Sequence, residues 1–171
     1  MKYSITHEAS FKYLEVYSLT PVGESTSLFV EFRDRLEQEH PKKLTHLLSC
    51  IEQLGKRGAL MNLLRNEQSG SELLAIPKKN YTTDPTYQED GQPVKNMLRL
   101  YCHRLNNDVL FVFSGGLKTT NDPLECPNVR QHFLNGQEFC NAIDSAIKEK
   151  EIYWVDDFTD IDCSDDFIIE I

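Results

Sequence analysis

The stretch Leu98–Thr120, LRLYCHRLNNDVLFVFSGGLKTT, decides the fold of this chain. Its first residues alternate as in a strand, which places Leu98, Leu100 and Cys102 on one face and Arg99, Tyr101 and His103 on the other. Asn106-Asn107 is typical of a hairpin turn at positive φ, and Asp108–Phe113 returns as a nearly continuous apolar strand. Such a strand belongs in the centre of a sheet, and Gly115-Gly116 predicts a bulge before the chain continues outward.

Patterns on either side of this hairpin predict the remaining elements. Phe11–Leu19 has the aromatic and β-branched content of a strand. Ser27 can cap a first helix, and Pro41 can begin a second helix with a leucine-rich stripe. A short strand over 72–76 precedes the hairpin, and a last helix over 129–150 follows it. The sequence therefore predicts an α+β domain, with two N-terminal helices and one C-terminal helix packed on a mainly antiparallel, twisted sheet.

The length and charge of the chain predict one domain followed by an acidic segment. A chain of 171 residues suits one domain, which we place at 1–155 with a long exposed loop at 78–95. Residues 156–171 contain seven of the 27 acidic residues and no basic one, so the net charge of −9 falls to near −2 in the body. Apolar residues alternate with these acids, and the tail either stays solvated, docks on a basic groove or adds a strand to the sheet.

Composition also excludes several classes of protein. The N-terminus lacks the apolar run of a signal peptide, and no segment has the ~18 apolar residues of a membrane helix. Five cysteines without a CxxC pair indicate reduced thiols in a cytoplasmic protein. Scattered histidines predict no metal site, and no motif predicts a cofactor; Gly115-Gly116 lacks the surroundings of a phosphate-binding loop.

The hairpin LRLYCHRLNNDVLFVFSGGLKTT resembles that of the RelE/HigB/ParE-type toxins, in which an arginine-bearing strand turns into an apolar strand with a lysine-rich exit. The paired N-terminal helices and the C-terminal IDSAIKEK helix also fit that family. The resemblance covers Phe11 to Lys150 in element order and is specific at motif level only over Met97 to Thr120. It implies a RelE-like fold with about four to five strands in the sheet.

The resemblance also implies a function and a set of site residues. RelE-type toxins cleave ribosome-bound mRNA without a metal, by attack of a ribose 2′-hydroxyl on the adjacent phosphate. Arg99 matches the family's strand arginine, and Lys118 matches its basic exit. Tyr101 and His103 share the face of Arg99, so they are predicted to stack on a base and to transfer a proton, respectively. Exposed Lys78, Lys79 and Tyr81 are further candidates for contacts with the RNA backbone.

Other interpretations of the same residues stay open. Polar side chains on a sheet face are often only its solvated surface, and a near-neutral body lacks the positive field of a ribosome-entering toxin. The chain is therefore either a toxin of a toxin–antitoxin or phage-derived system, or a non-catalytic module that binds an antitoxin or another protein. A ParE-like inhibitor of DNA gyrase is a third possibility, because one fold supports several functions.

Overall fold

The computed structural model describes all 171 residues, which form three helices and ten strands. The helices are α1 Leu28–Glu39, α2 Pro41–Arg57 and α3 Arg130–Lys148. The strands are β1 Lys2–Phe11, β2 Leu14–Pro21, β3 Leu74–Ile76, β4 Gln88–Glu89, β5 Gln92–Pro93, β6 Leu98–Arg104, β7 Val109–Leu117, β8 Ile152–Val155, β9 Asp160–Cys163 and β10 Ile169–Glu170. None of the helices is long and apolar enough to span a membrane.

Six of the strands form one mixed sheet in the order β10-β1-β2-β7-β6-β3. The β2–β7 pair is parallel and the other four pairs are antiparallel. Two small hairpins, β4–β5 and β8–β9, lie outside this sheet. The predicted α+β class is thereby confirmed, and the main sheet has six strands rather than four to five.

The first two helices cover one face of the sheet. Ser27 caps α1 by accepting a hydrogen bond from the backbone N–H of Val30 at 3.1 Å, and Pro41 begins α2, both as predicted. This layer is filled mainly by Phe32, Leu36, Leu44, Leu47, Ile51 and Leu54 of the helices and by Leu100, Cys102 and Val112 of the sheet. Leu48, which belongs to the leucine-rich stripe of α2, is only half-buried and lines a surface groove beside Phe29.

The opposite face of the sheet is covered by α3 and by the C-terminal segment. Its core contains Phe133, Phe139 and Ile143 of α3 with Tyr101, Phe111 and Phe113 of the sheet. Ile152, Ile161 and Ile169 belong to the same core, and β10 pairs with the edge strand β1. The acidic segment 156–171 therefore packs on the domain through its apolar residues and adds a strand to the main sheet.

The central hairpin is confirmed, with two differences in detail. Strands β6 and β7 pair antiparallel, but neither Asn106 nor Asn107 has a positive φ. Instead, the side-chain oxygen of Asn106 accepts hydrogen bonds from the backbone N–H groups of Asp108 and Val109, at 2.8 and 3.0 Å. The irregularity in pairing lies just before Gly115, where a Cβ atom would be 1.8 Å from the carbonyl oxygen of Arg99.

The N-terminal part of the chain differs from the prediction. The single strand expected over 11–19 is the second half of a hairpin, in which β1 turns at Lys12-Tyr13 into β2. The segment 78–95 is largely exposed as expected, but it contains the short hairpin β4–β5 and buries Lys78 and Tyr87.

Candidate functional site

Three of the four predicted catalytic residues converge on one carboxylate that the sequence did not single out. The Nε of Arg99 donates to Oε1 of Glu67 at 2.5 Å, and Nζ of Lys118 lies 3.3 Å from the same oxygen. The Tyr101 hydroxyl donates to Oε2 of Glu67 at 2.9 Å. Strand β6 supplies Arg99 and Tyr101, and Lys118 follows the end of β7. We call these four residues the Glu67 cluster.

The Glu67 cluster is enclosed on every side. The side chains of Arg99 and Glu67 are each 3% exposed, and Tyr101 is covered by Phe133 of α3 at 5.5 Å between ring centroids. Nη1 of Arg99 is held by the backbone carbonyls of Asn96 and Leu98. An aligned set of charged partners explains how a buried arginine and a buried lysine are tolerated here. The predicted polar face of β6 is therefore buried, because α3 packs over it.

The electrostatics of the cluster are dominated by positive charge. Burial, followed by the nearby positive charge of Arg99, lowers the pKa of Arg65 to about 10, while the negative charge of Glu67 acts in the opposite direction. Burial, followed by the negative charge of Glu67, raises the pKa of Tyr101 above its usual range, so its hydroxyl stays protonated and donates. Two cations, Arg99 and Lys118, thus share one carboxylate, and Arg65 adds a third positive charge nearby, an arrangement suited to holding an anion.

His103, the predicted proton-transfer residue, does not join this cluster. Its Nε2 lies 2.7 Å from Oδ1 of Asp144 on α3, and its buried Nδ1 has no hydrogen-bond partner. The Asp144 side chain is half exposed, so the pair lies at the margin of the α3 layer. A histidine held by a carboxylate is oriented for proton transfer. Here, however, His103 lies two residues beyond Tyr101 on β6 and bonds to Asp144 rather than to a residue of the Glu67 cluster.

The three candidates for RNA-backbone contacts do not form one surface. Lys78 is buried, and its ammonium donates to the backbone carbonyl of Asp84 at 2.5 Å. Lys79 is exposed, and Tyr81 is partly exposed with Nζ of Lys95 5.8 Å from its ring centroid. Only Lys79, Tyr81 and Lys95 are therefore free to meet a ligand at the surface in this arrangement.

Two partners in these sites, Glu67 and Asp144, escaped the sequence analysis. Glu67 lies in NEQSGSE, a polar stretch that has the composition of an ordinary exposed loop. Asp144 lies on the polar side of the α3 pattern. Neither position has a periodicity that indicates a carboxylate pointing into the protein. The one available signal was Arg99, because an arginine on a buried strand needs a counter-ion.

The C-terminal hairpin β8–β9 carries a second candidate surface. Phe158 is 62% exposed and its ring packs 5.9 Å from that of Trp154, whereas Tyr153 is 45% exposed on the other face of β8. Asp156 and Asp157 form the tip of the hairpin beside them. An exposed aromatic group within an acidic surface is typical of a protein-binding site for a basic partner.

No group of three or more His, Cys, Asp and Glu side chains is arranged to hold a metal ion. Comparison of the chain with family models, curated proteins and solved structures gave no match. The function is therefore argued from the geometry of the Glu67 cluster and from the exposed β8–β9 hairpin.

Proposed function

We propose that the protein is a RelE-like toxin-type domain that binds an RNA phosphate through Arg99, Lys118 and Tyr101. The observation that carries this proposal is the convergence of these three donors, from two strands, on the two oxygens of one anion. Support for the RelE-like fold comes from one part of the element order, which runs from β2 through α1, α2 and the β6–β7 hairpin to α3.

The chemistry of the cluster suits a phosphate better than it suits a complete nuclease. Arginine and lysine neutralise a phosphate and stabilise the additional charge that develops during attack by a 2′-hydroxyl. Tyr101 remains protonated and can donate to a phosphate oxygen. Cleavage also needs a group that accepts the 2′ proton, and His103 is paired with Asp144. RNA binding is the primary proposal, and a metal-independent cleavage reaction extends it if His103 is released.

The test is binding of a fluorescent single-stranded RNA to the full chain, measured by anisotropy over a range of salt concentrations. Lys118→Met removes one cation and keeps the aliphatic stem, while Arg99 and Tyr101 still pair with Glu67. Lys56→Met, on the exposed last turn of α2, is a control with the same change in net charge. We expect Lys118→Met alone to weaken binding and to reduce the slope of log K against log salt by about 0.7, the value for one phosphate contact in single strands.

Induced expression distinguishes catalysis from binding, and the two variants test the proposed site. Induced expression of the wild-type chain should arrest growth and produce cleaved transcripts if His103 takes part in a reaction. Binding without cleavage would support an RNA-binding domain, and equal affinities for Lys118→Met, Lys56→Met and the wild type would refute the proposed site.

A second candidate function is a module that binds a basic protein, such as an antitoxin. It is favoured by the exposed Phe158 and Tyr153 on an acidic hairpin and by the enclosure of the Glu67 cluster. Phe158→Asp should then abolish the effect of expression on growth, whereas Lys118→Met should leave that effect unchanged. The reverse result would favour the RNA-binding proposal.

A further inference from the structure

Glu67 is an inward-facing side chain in a stretch that is otherwise turned to solvent. The flanking residues Asn66, Gln68, Ser69, Gly70 and Glu72 are all exposed. The Glu67 side chain is 3% exposed, and it bonds to or pairs with Arg99, Lys118 and Tyr101. We call residues 66–72 the Glu67 loop. A surface loop that buries one carboxylate against three donors acts as a ligand for them.

The carboxylate of Glu67 matches the acceptor set of an RNA phosphodiester. Each has one negative charge and two equivalent oxygens, since a phosphodiester presents two non-bridging oxygens. Here Oε1 takes Arg99 and Lys118, and Oε2 takes the Tyr101 hydroxyl. A phosphate in the same place would satisfy the same three donors, and charge-assisted hydrogen bonds of this kind are strong for both anions.

Departure of Glu67 removes the negative charge that pairs with the cations of the cluster. Two cations of the cluster, with Arg65 close enough to affect its charge balance, would then be buried without a counter-ion. Uncompensated buried charge is strongly unfavourable, so an anion that replaces the carboxylate stabilises the arrangement in which Glu67 has left. Binding of a phosphate is thereby coupled to departure of the Glu67 loop.

The attachment of the Glu67 loop allows such a departure. Its two ends are fixed beside β3, where Arg65 pairs with Ala75 through two backbone hydrogen bonds of 2.8 Å. Leu73 packs against Gly136 of α3, where a Cβ atom would be 2.7 Å from Leu73. Between these anchors, the one side-chain bond to α3 is from Gln137 to Gln68 at 3.1 Å. The loop can therefore move while its anchors and the sheet stay in place.

We propose that Glu67 is an internal competitor for the phosphate site, so that RNA binds only when the Glu67 loop swings outward. This inference rests on the proposed function, because it concerns the same three donors. A tethered ligand competes at an effective concentration in the millimolar range or above, so removing its charge should raise the affinity for RNA by about tenfold or more.

The experiment compares the full-length wild type, Glu67→Gln, Glu72→Gln and the double variant Glu67→Gln/Lys118→Met. Glu72→Gln is the matched control, because it makes the same charge change at an exposed position at the end of the same loop. Binding of a fluorescent single-stranded RNA is measured by anisotropy at constant salt. We expect Glu67→Gln to bind about tenfold more tightly, Glu72→Gln to bind like the wild type, and the double variant to lose the gain.

The possible results separate the two proposals. Equal affinities for Glu67→Gln and Glu72→Gln would overturn the competitor role, and the proposed function would stand if Lys118→Met still weakened binding by the wild type. A gain in Glu67→Gln that persists in the double variant would instead refute the phosphate site itself.

A second measurement covers the case in which Glu67→Gln is too unstable for binding studies. Thermal unfolding of Glu67→Ala and Glu72→Ala is followed in sodium phosphate and in sodium chloride at equal ionic strength. We expect phosphate to raise the unfolding temperature of Glu67→Ala, or to restore its folding, because the anion fills the vacated position. The same response in Glu72→Ala, or no response in Glu67→Ala, would overturn the inference.

Discussion

Removing Glu67 should destabilise the protein far more than removing Arg99. Glu67→Gln leaves two cations of the cluster buried without a carboxylate, and breaking a buried ion pair in this way costs ~3–5 kcal/mol. In Arg99→Met the carboxylate keeps Lys118 at 3.3 Å and the Tyr101 hydroxyl at 2.9 Å, and the methionine fills apolar space. Replacing one of two cations by an apolar side chain should therefore cost ~1–2 kcal/mol, within the range for single substitutions.

Urea denaturation of the two full-length variants measures this asymmetry. With a slope of ~2 kcal/mol per M, Glu67→Gln should lower the midpoint by roughly 1.5–2.5 M and Arg99→Met by less than about 1 M. The slope itself should stay constant, since neither change alters the area that is exposed on unfolding. A larger loss for Arg99→Met than for Glu67→Gln would show that positive charge is not in excess in the cluster, and the reasoning would fail.

Three further predictions concern the fold. Ile161→Ala should cost ~2–5 kcal/mol in thermal unfolding because that side chain is buried, whereas Phe158→Ala, at an exposed position, should cost less than ~0.5 kcal/mol; similar costs would contradict the packing of β9. Gly115→Ala should destabilise by at least ~1–3 kcal/mol because its Cβ would meet the carbonyl oxygen of Arg99, and an unchanged urea midpoint would contradict that close approach. The raised pKa of Tyr101 stabilises the fold below about pH 10, the pKa of an unfolded tyrosine, and this contribution is lost as the pH rises above it. The urea midpoint should fall above that pH, and Tyr101→Phe should lessen the fall.

Local patterns predicted the central hairpin and all three helices because each has its own hydrophobic periodicity, and Ser27 and Pro41 also mark the starts of α1 and α2. The N-terminal hairpin was missed for a physical reason: its turn at Lys12-Tyr13 contains no Gly, Pro, Asn or Asp. Without a turn residue to separate two strands before Leu14, only the strand over 11–19 was predicted, and β1 was missed. The parallel β2–β7 pair could not be predicted from local patterns either, because it joins residues about 95 positions apart and depends on how the helices cross the sheet.

The candidate site was predictable only in part. Alternation along β6 correctly placed Arg99, Tyr101 and His103 on one face, which is the face that α3 covers. Alternation does not tell whether such a face is open, because a buried polar face needs partners from elsewhere in the chain. Those partners are Glu67 and Asp144, and both depend on tertiary contacts that no local pattern records.

The position of the acidic C-terminal segment argues that its charge has little influence on the Glu67 cluster. Strand β10 lies at one edge of the main sheet and β6 is four strands away, which corresponds to roughly 19 Å at the usual strand spacing. That distance exceeds the Debye length of ~8 Å at physiological salt, so the field of Glu170 on β10 is largely screened there. The apolar residues of the segment, by contrast, are part of the core beneath α3. The segment therefore acts mainly on stability, and Glu67 is the acid in direct contact with the cations proposed to bind phosphate.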